Sequence, residues 1–240
     1  MLKIAAILAL LAGREPDMLI AARSSFASGR NAARFYVRDG LVAMFDAIDN
    51  RAVGRHVPGA TRWVDCVDRS RSGAVGASQV FSDYMYDDAS VWRSLPSIPG
   101  LHGHDFTIEA VVTGVTKTVD WFHILAPTND NCSLGWASKS SDKVSWKYGN
   151  ARPQTAFSGG RIAMIRSGSN AILKANGSAR ASATVSSWLA WSDLGLVWCK
   201  PWYALRGTKR MHCVRFYNRA LTDAELDFNL AADRRRFPLA

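Results

Sequence analysis

Residues 209–237, KRMHCVRFYNRALTDAELDFNLAADRRRF, contain the pattern that is most informative about the fold. The first part of this stretch alternates in the manner of a β-strand. One predicted face carries His212, Val214 and Phe216, and the other carries Met211, Cys213, Arg215 and Tyr217. The stretch therefore predicts a strand that has to be covered on both faces.

A short helix is predicted directly after this strand, beyond a corner at 218–220. Thr222 and Glu225 have the spacing of a capping box, in which each side chain accepts a hydrogen bond from the backbone of the other residue. Leu226 and Leu230 lie one helical turn apart and would share one face of that helix. We therefore expect the helix to dock on a sheet through the two leucines.

Three further segments complete a recognisable set: DGLVAMFDAIDN (39–50), TRWVD (61–65) and FTIEAVV (106–112). Together with YNRALTDAE (217–225), they resemble laminin-G-like, concanavalin A-like jelly-roll domains of the phage or bacterial surface type. The resemblance implies an all-β, two-sheet antiparallel jelly-roll sandwich over residues 35–240, with a short C-terminal helix. The segment CVDRS (66–70) departs from the usual motif of these domains, so the turn there is not predicted.

Alternation alone supports the same architecture. Short strands are predicted at 106–115, 122–126, 132–138 and 143–149, and paired strands within 161–179. Residues 167–170 are a predicted turn, and Asn176-Gly177 is a signal for a two-residue hairpin. About ten to twelve short strands with no clear second domain are typical of a jelly roll.

Residues 1–34 lie outside the resemblance and are predicted to form an N-terminal helical arm and linker. The segment LKIAAILALLA (2–12) is apolar but too short to span a bilayer. An isolated helix of this length needs a partner surface, so we expect the arm to bind a neighbouring virion or surface protein. A signal peptide that ends near Gly13 is the alternative interpretation.

The formal net charge is +10, and the arginines are scattered along the chain apart from those at 234–236. A nucleic-acid-binding stripe requires clustered basic residues, so this class of partner is disfavoured. A surface glycan or a host cell-surface polymer is the favoured partner, which implies an extracellular, cell-surface or virion location.

The acidic residues do not form a catalytic pair. Glycosidases on this fold carry two carboxylates along one strand face, whereas Glu109 has Thr107 and Val111 two residues away. The loop motif His102-Gly-His104-Asp105 is interpreted as exposed histidines rather than as a metal site. The four cysteines have no C-x-x-C spacing, so a metal or redox motif is not supported. Buried thiols are the favoured interpretation, and disulfides in a secreted protein are the alternative. We therefore expect a protein that is not an enzyme.

Two sets of residues are candidates for binding. Calcium is the accessory ion that the resemblance implies, and its candidate ligands are Asp46, Asp49, Asn50, Asn129 and Asp130. Turn formation is the alternative role for these residues. The candidate sugar-stacking residues are Tyr84, Tyr86, Trp136, Trp146 and Trp202, of which we expect one or two to be exposed. The sequence thus predicts a non-catalytic carbohydrate-binding or adhesin-like module, with a structural virion protein, a capsid decoration or fibre component, as the alternative.

Overall fold

The structure is a computed structural model that describes residues 32–50, 60–75, 81–87, 93–98, 100–101, 103–117, 122–125, 132–136, 142–186, 197–199 and 207–239. The predicted N-terminal arm lies outside these ranges except for its last three residues. Those residues begin a 3₁₀ helix, Ala32–Phe35.

The described chain is mostly β-structure with one α-helix at its C-terminus. The strands are β1 (Leu41–Asp46), β2 (Arg62–Val64), β3 (Ser72–Ala74), β4 (Met85–Asp87), β5 (Arg93–Ser94), β6 (Phe106–Lys117), β7 (Phe122–Leu125), β8 (Cys132–Trp136), β9 (Lys143–Tyr148), β10 (Gln154–Ala156), β11 (Gly160–Ser167), β12 (Asn170–Ala175), β13 (Ala179–Thr184), β14 (Val197–Cys199) and β15 (Gly207–Tyr217). The helix, here called α1, is Asp223–Arg236.

All strand pairs are antiparallel, and the strands form two layers. One layer is a seven-stranded sheet of order β1-β15-β6-β11-β12-β13, with β4 paired to the N-terminal half of β15. The other layer consists of two four-stranded sheets, β10-β9-β8-β7 and β14-β5-β3-β2. Strands β14 and β7 are edge strands of these two sheets and lie beside each other, so the two sheets of the second layer meet there. The predicted antiparallel sandwich is confirmed, with its second layer split into two sheets.

The core lies between the two layers and receives side chains from all three sheets. The central strand β6 contributes Phe106, Ile108 and Ala110, which alternate with residues of its opposite face. Trp63 of β2 packs edge-on against Phe45 of β1, with ring centroids 5.8 Å apart. The FTIEAVV and RWVD segments both supply core residues of the sandwich, which explains why these motifs predict the fold.

The alternation in β15 is interrupted by an irregularity between Met211 and Cys213. Met211, Val214 and Phe216 all belong to the core cluster, whereas His212 contacts the Phe237 ring that follows α1. The prediction that His212 shares a face with Val214 and Phe216 is therefore wrong. The β-bulge inserts one extra residue, so the prediction that Met211 shares a face with Cys213, Arg215 and Tyr217 is wrong as well.

Helix α1 begins as predicted. Thr222 accepts a hydrogen bond from the Glu225 amide, and Glu225 accepts one from the Thr222 amide, which completes the capping box. Hydrogen bonds from the Arg219 guanidinium hold the pKa of Glu225 at about 2. Leu226 and Leu230 are buried, so the predicted docking face of the helix is confirmed.

The hairpin at 176–177 is confirmed with one difference in its length. Asn176 and Gly177 both have positive φ angles, 48° and 90°, as hairpin turns require. The flanking pair is Ala175 with Ala179, so the loop contains three residues rather than two. A Cβ atom on Gly177 would lie 3.0 Å from Leu230, so this turn also packs tightly under α1.

Candidate functional site

The outer face of the seven-stranded sheet, opposite the core, carries two groups of residues that bear on function. The first group is a buried charge network beneath α1, made of Glu109, Arg161, Arg215, Asn229 and Asp233. Glu109 receives hydrogen bonds from Arg161 (3.2 Å), from Arg215 (3.0 Å) and from the Asn229 amide (2.7 Å). Its carboxylate is 0% exposed, so no substrate reaches it in this structure.

Arg215 connects this network to the helix. Its guanidinium forms two parallel hydrogen bonds to the Asp233 carboxylate, 2.6 and 2.7 Å long, and lies 4.1 Å from the centroid of the Tyr36 ring. Buried charges are tolerated only when they are paired and hydrogen-bonded, and both conditions are met for Arg215. The network therefore joins the helix, the sheet and the 3₁₀ segment, which is a structural role.

The second group lies at the other end of the same face, around β4. Phe81, Tyr84, Tyr86 and Arg210 form what we call the aromatic–arginine patch. The Phe81 and Tyr84 rings are stacked, with centroids 4.6 Å apart and planes 17° apart. The Arg210 guanidinium carbon lies 5.0 Å from the Tyr84 centroid, and Tyr86 is the direct cross-strand neighbour of Arg210.

Strand alternation explains why these aromatic residues face outwards. Met85 is fully buried in the core, so Tyr84 and Tyr86 on either side of it point away from the core. Both tyrosines are partly exposed, and Phe81 is 40% exposed, which is unusual for a phenylalanine. The patch thus presents an aromatic surface beside an exposed cation.

His212 holds the turn that carries this surface. Its Nδ1 lies 2.7 Å from the Asp83 carbonyl oxygen, and its Nε2 lies 2.7 Å from the Thr113 hydroxyl. A carbonyl oxygen can only accept, so Nδ1 carries the proton and Nε2 of the neutral ring accepts from Thr113. Burial lowers the pKa of His212 below its ordinary value of 6.5, which favours this neutral form.

The five candidate stacking residues lie in different parts of the chain and do not form one site. Tyr84 and Tyr86 belong to the patch, as described. Trp146 is 0% exposed and packs against Phe106 and Tyr148 in the core, so its predicted role at the surface is replaced by a role in packing. Trp136 lies in β8 but its side chain is outside the described part, and Trp202 lies outside the described residues.

Sequence reasoning did not identify Phe81 and Arg210 as members of this site. The signal for Phe81 was present as three aromatic residues at 81, 84 and 86 in one short turn and strand. The position of Arg210 beside Tyr84 depends on the bulge and on the β4–β15 register, and no local pattern reveals either of them.

The candidate calcium ligands near β1 have protein partners instead. Asp46 accepts hydrogen bonds from the Asp49 amide (2.9 Å) and from Arg236 (2.8 Å). Asp49 accepts from the Ala32 amide (2.7 Å), and Asn50 joins the Val64 amide to the Arg62 carbonyl. These side chains secure the chain after β1, as the alternative interpretation of turn formation expects. Asn129 and Asp130 lie outside the described residues.

Two of the four cysteines are described in full. Cys66 and Cys213 are free and buried, and burial raises the pKa of both thiols. Within the described ranges, no group of three or more histidine, cysteine or acidic side chains is arranged to hold a metal ion. A helix of sufficient length and apolar character to cross a membrane is likewise absent from that part of the chain.

Comparison with known proteins identifies similar structures but no similar sequence. No family model matches the chain, and no curated protein matches it. A mutant of Trypanosoma rangeli sialidase displaying trans-sialidase activity has a TM-score of 0.59 and 15% identity, covering 82% of this chain and 33% of that chain. Trypanosoma rangeli sialidase in complex with sialic acid has a TM-score of 0.58 and 12% identity, covering 92% and 38%.

The binding domain of botulinum neurotoxin DC in complex with SialylT is also similar, with a TM-score of 0.55 and 10% identity, covering 81% of this chain and 52% of that chain. This chain therefore spans about a third of the sialidases and about half of the toxin domain. At such identities the likeness establishes the fold alone. The fold is a β-sandwich.

Proposed function

We propose that this chain is a non-catalytic carbohydrate-binding module and that the aromatic–arginine patch is its binding surface. The observation that carries the proposal is the exposed Phe81–Tyr84 stack beside Arg210 on a β-sandwich. Aromatic faces pack against the apolar faces of sugar rings, while a neighbouring polar group orients the ligand. Two of the similar structures are complexes with sialic acid and with SialylT, which supports a saccharide ligand.

The absence of catalysis is part of the proposal. Glu109 is the acid that sequence reasoning examined as a catalytic residue, and its carboxylate is fully buried with three hydrogen-bond donors. Hydrolysis of a glycosidic bond by the usual pair of carboxylates requires a second carboxylate on the opposite side of the scissile bond. The four residues of the patch carry no carboxylate, and Asp83 in the same turn has its carboxylate 4.0 Å from Nδ1 of His212. This arrangement supports binding rather than cleavage.

The assignment to the laminin-G-like domains and the adhesin-like display on a phage particle or cell surface are finer parts of the same proposal. The YNRALTDAE segment supports the first part, because Arg219, Thr222 and Glu225 form one connected corner. The second part rests on the arm predicted at residues 1–34, which would attach the module to a neighbouring protein.

The experiment is a binding screen of the full chain against neutral and acidic glycans, followed by calorimetry on the hits. Phe81→Ala should weaken binding at least about tenfold, which is about 1.4 kcal/mol. Phe228→Ala is the matched control, because Phe228 is also an exposed phenylalanine (53%) but lies on α1. Equal losses in both variants, or no glycan bound by the unaltered protein, would overturn the proposal.

A further inference from the structure

Arg210 is the only charged member of the aromatic–arginine patch, and its surroundings indicate the charge of the ligand. We infer that the glycan bound at this patch is an acidic saccharide whose carboxylate pairs with the Arg210 guanidinium. The inference rests on the proposed function, because it names the ligand class of the same surface.

The first support is the lack of a protein partner for Arg210. Its side chain is exposed, and no carboxylate of the described residues lies within ion-pair distance of it. Other arginines on the same sheet or near it are paired with carboxylates, namely Arg71, Arg161, Arg215, Arg219 and Arg236. A guanidinium is a planar donor that matches a carboxylate with two parallel hydrogen bonds. Arg210 therefore retains its capacity for such a partner.

The second support is the orientation of the Arg210 side chain. A Cβ atom on Gly114 would lie 3.3 Å from both Cδ and Nε of Arg210, so the arginine stem lies directly on this glycine. The guanidinium is held on one side by the Tyr84 ring, while Arg210 pairs with Thr113 across the strands. A side chain oriented before binding loses less conformational entropy when the ligand arrives.

The third support is that the cation and the exposed aromatic ring contact the same tyrosine. The Phe81 centroid and the Arg210 guanidinium carbon lie 4.6 and 5.0 Å from the same Tyr84 ring. A ligand of one or two sugar units therefore reaches both, with an apolar ring face on Phe81 and its acid group on Arg210. The net charge of +10 adds a general attraction for anionic polymers.

The test uses the full chain and two matched pairs of probes: sialyllactose with its methyl ester, and oligogalacturonate with its methyl ester. In both pairs the sugar rings are kept and the negative charge of the carboxylate is removed. Acidic members should bind at least about tenfold more tightly, and this preference should decrease as the salt concentration rises. A sulfated oligosaccharide serves as a third probe. Tighter binding of this probe than of the carboxylated probes would contradict a carboxylate ligand.

Two substitutions connect the preference to Arg210. Arg210→Gln should remove the preference for acidic probes, and Arg210→Lys should restore it in part, because lysine keeps the charge without the planar donor pair. Arg152→Gln is the control, since Arg152 is exposed in the turn between β9 and β10 of the other layer. Thermal unfolding of each variant establishes that the fold is intact.

The outcomes separate this inference from the proposed function. Equal binding of acidic and neutral probes, or equal effects of Arg210→Gln and Arg152→Gln, would overturn the acidic ligand while leaving a carbohydrate-binding module in place. Loss of all binding in Phe81→Ala together with an unchanged acid preference in Arg210→Gln would also contradict the role of Arg210. Failure of the unaltered chain to bind any probe would overturn both.

Discussion

Two arginines of the same strand, Arg215 and Arg210, have similar aromatic partners and different surroundings. Arg215 lies 4.1 Å from the Tyr36 ring, and Arg210 lies 5.0 Å from the Tyr84 ring. They are five positions apart and would point to opposite faces of an uninterrupted strand. Because β15 has its irregularity between Met211 and Cys213, both lie on the outer face of the sheet.

The difference between them lies in the carboxylates. Arg215 has Glu109 and Asp233 within hydrogen-bond distance and is completely buried by α1. Arg210 is exposed and has no carboxylate partner among the described residues. An arginine beside an aromatic ring therefore stabilises the fold where the chain supplies the anion. Where the described chain supplies none, we propose that the arginine binds a ligand.

The largest expected effect is on stability, at the buried arginine. Arg215→Met leaves the Asp233 carboxylate buried without its bidentate partner, and removal of one member of a buried ion pair costs about 3–5 kcal/mol. Denaturant unfolding followed by circular dichroism measures the loss. A loss below about 1 kcal/mol would mean that the network contributes little, and the contrast between the two arginines would fail.

The helix that encloses Arg215 gives the next effect. Leu226 is fully buried, so Leu226→Ala should lower the free energy of unfolding by about 2–5 kcal/mol. Phe228→Ala on the exposed side of the same helix should change it by less than about 0.5 kcal/mol. Similar losses in the two variants would mean that α1 is not docked through the face assigned to Leu226.

The helix cap has a smaller contribution. Thr222→Ala removes the hydroxyl that accepts the Glu225 amide, which should cost about 1 kcal/mol. Thr222→Ser keeps the hydroxyl and should retain most of this stability. Both values come from the same denaturant titrations, and an alanine variant as stable as the serine variant would contradict the cap.

The same contrast explains which structural features could be predicted from the sequence. The capping box, the docking leucines and the core residues of β6 follow from local spacing, because caps and alternation depend on neighbours in the chain. The partners of Arg215 come from β6 and α1, and Arg210 meets Tyr84 only through the β4–β15 pairing. Spacing along the chain does not contain these registers, and a single bulge reverses which face a residue occupies. For this reason local spacing does not indicate the two arginines that lie beside Glu109.

The turn beside Arg210 should make a pH-dependent contribution to stability through His212. The pKa of His212 is lowered in the folded state, so unfolding takes up a proton once the pH falls below the ordinary value of 6.5. The contribution of His212 to stability is therefore fully present above pH 6.5 and is lost as the pH falls from there towards the folded pKa. His212→Gln should remove this part of the pH dependence in unfolding titrations between about pH 8 and pH 5. Parallel curves for the two proteins would mean that His212 is not buried in its neutral form.

The smallest expected effect on stability is at Arg210 itself. Arg210→Gln removes an exposed cation that has no carboxylate partner in the described chain, and surface substitutions of this kind usually change stability by less than about 0.5 kcal/mol. The cation–π contact with Tyr84 adds at most about 0.5–1 kcal/mol at an exposed site. An unfolding curve for Arg210→Gln that nearly coincides with that of the unaltered protein is therefore expected, in contrast to Arg215→Met. A loss as large as that of Arg215→Met would show that Arg210 stabilises the fold, and the reason for assigning it to a ligand would disappear.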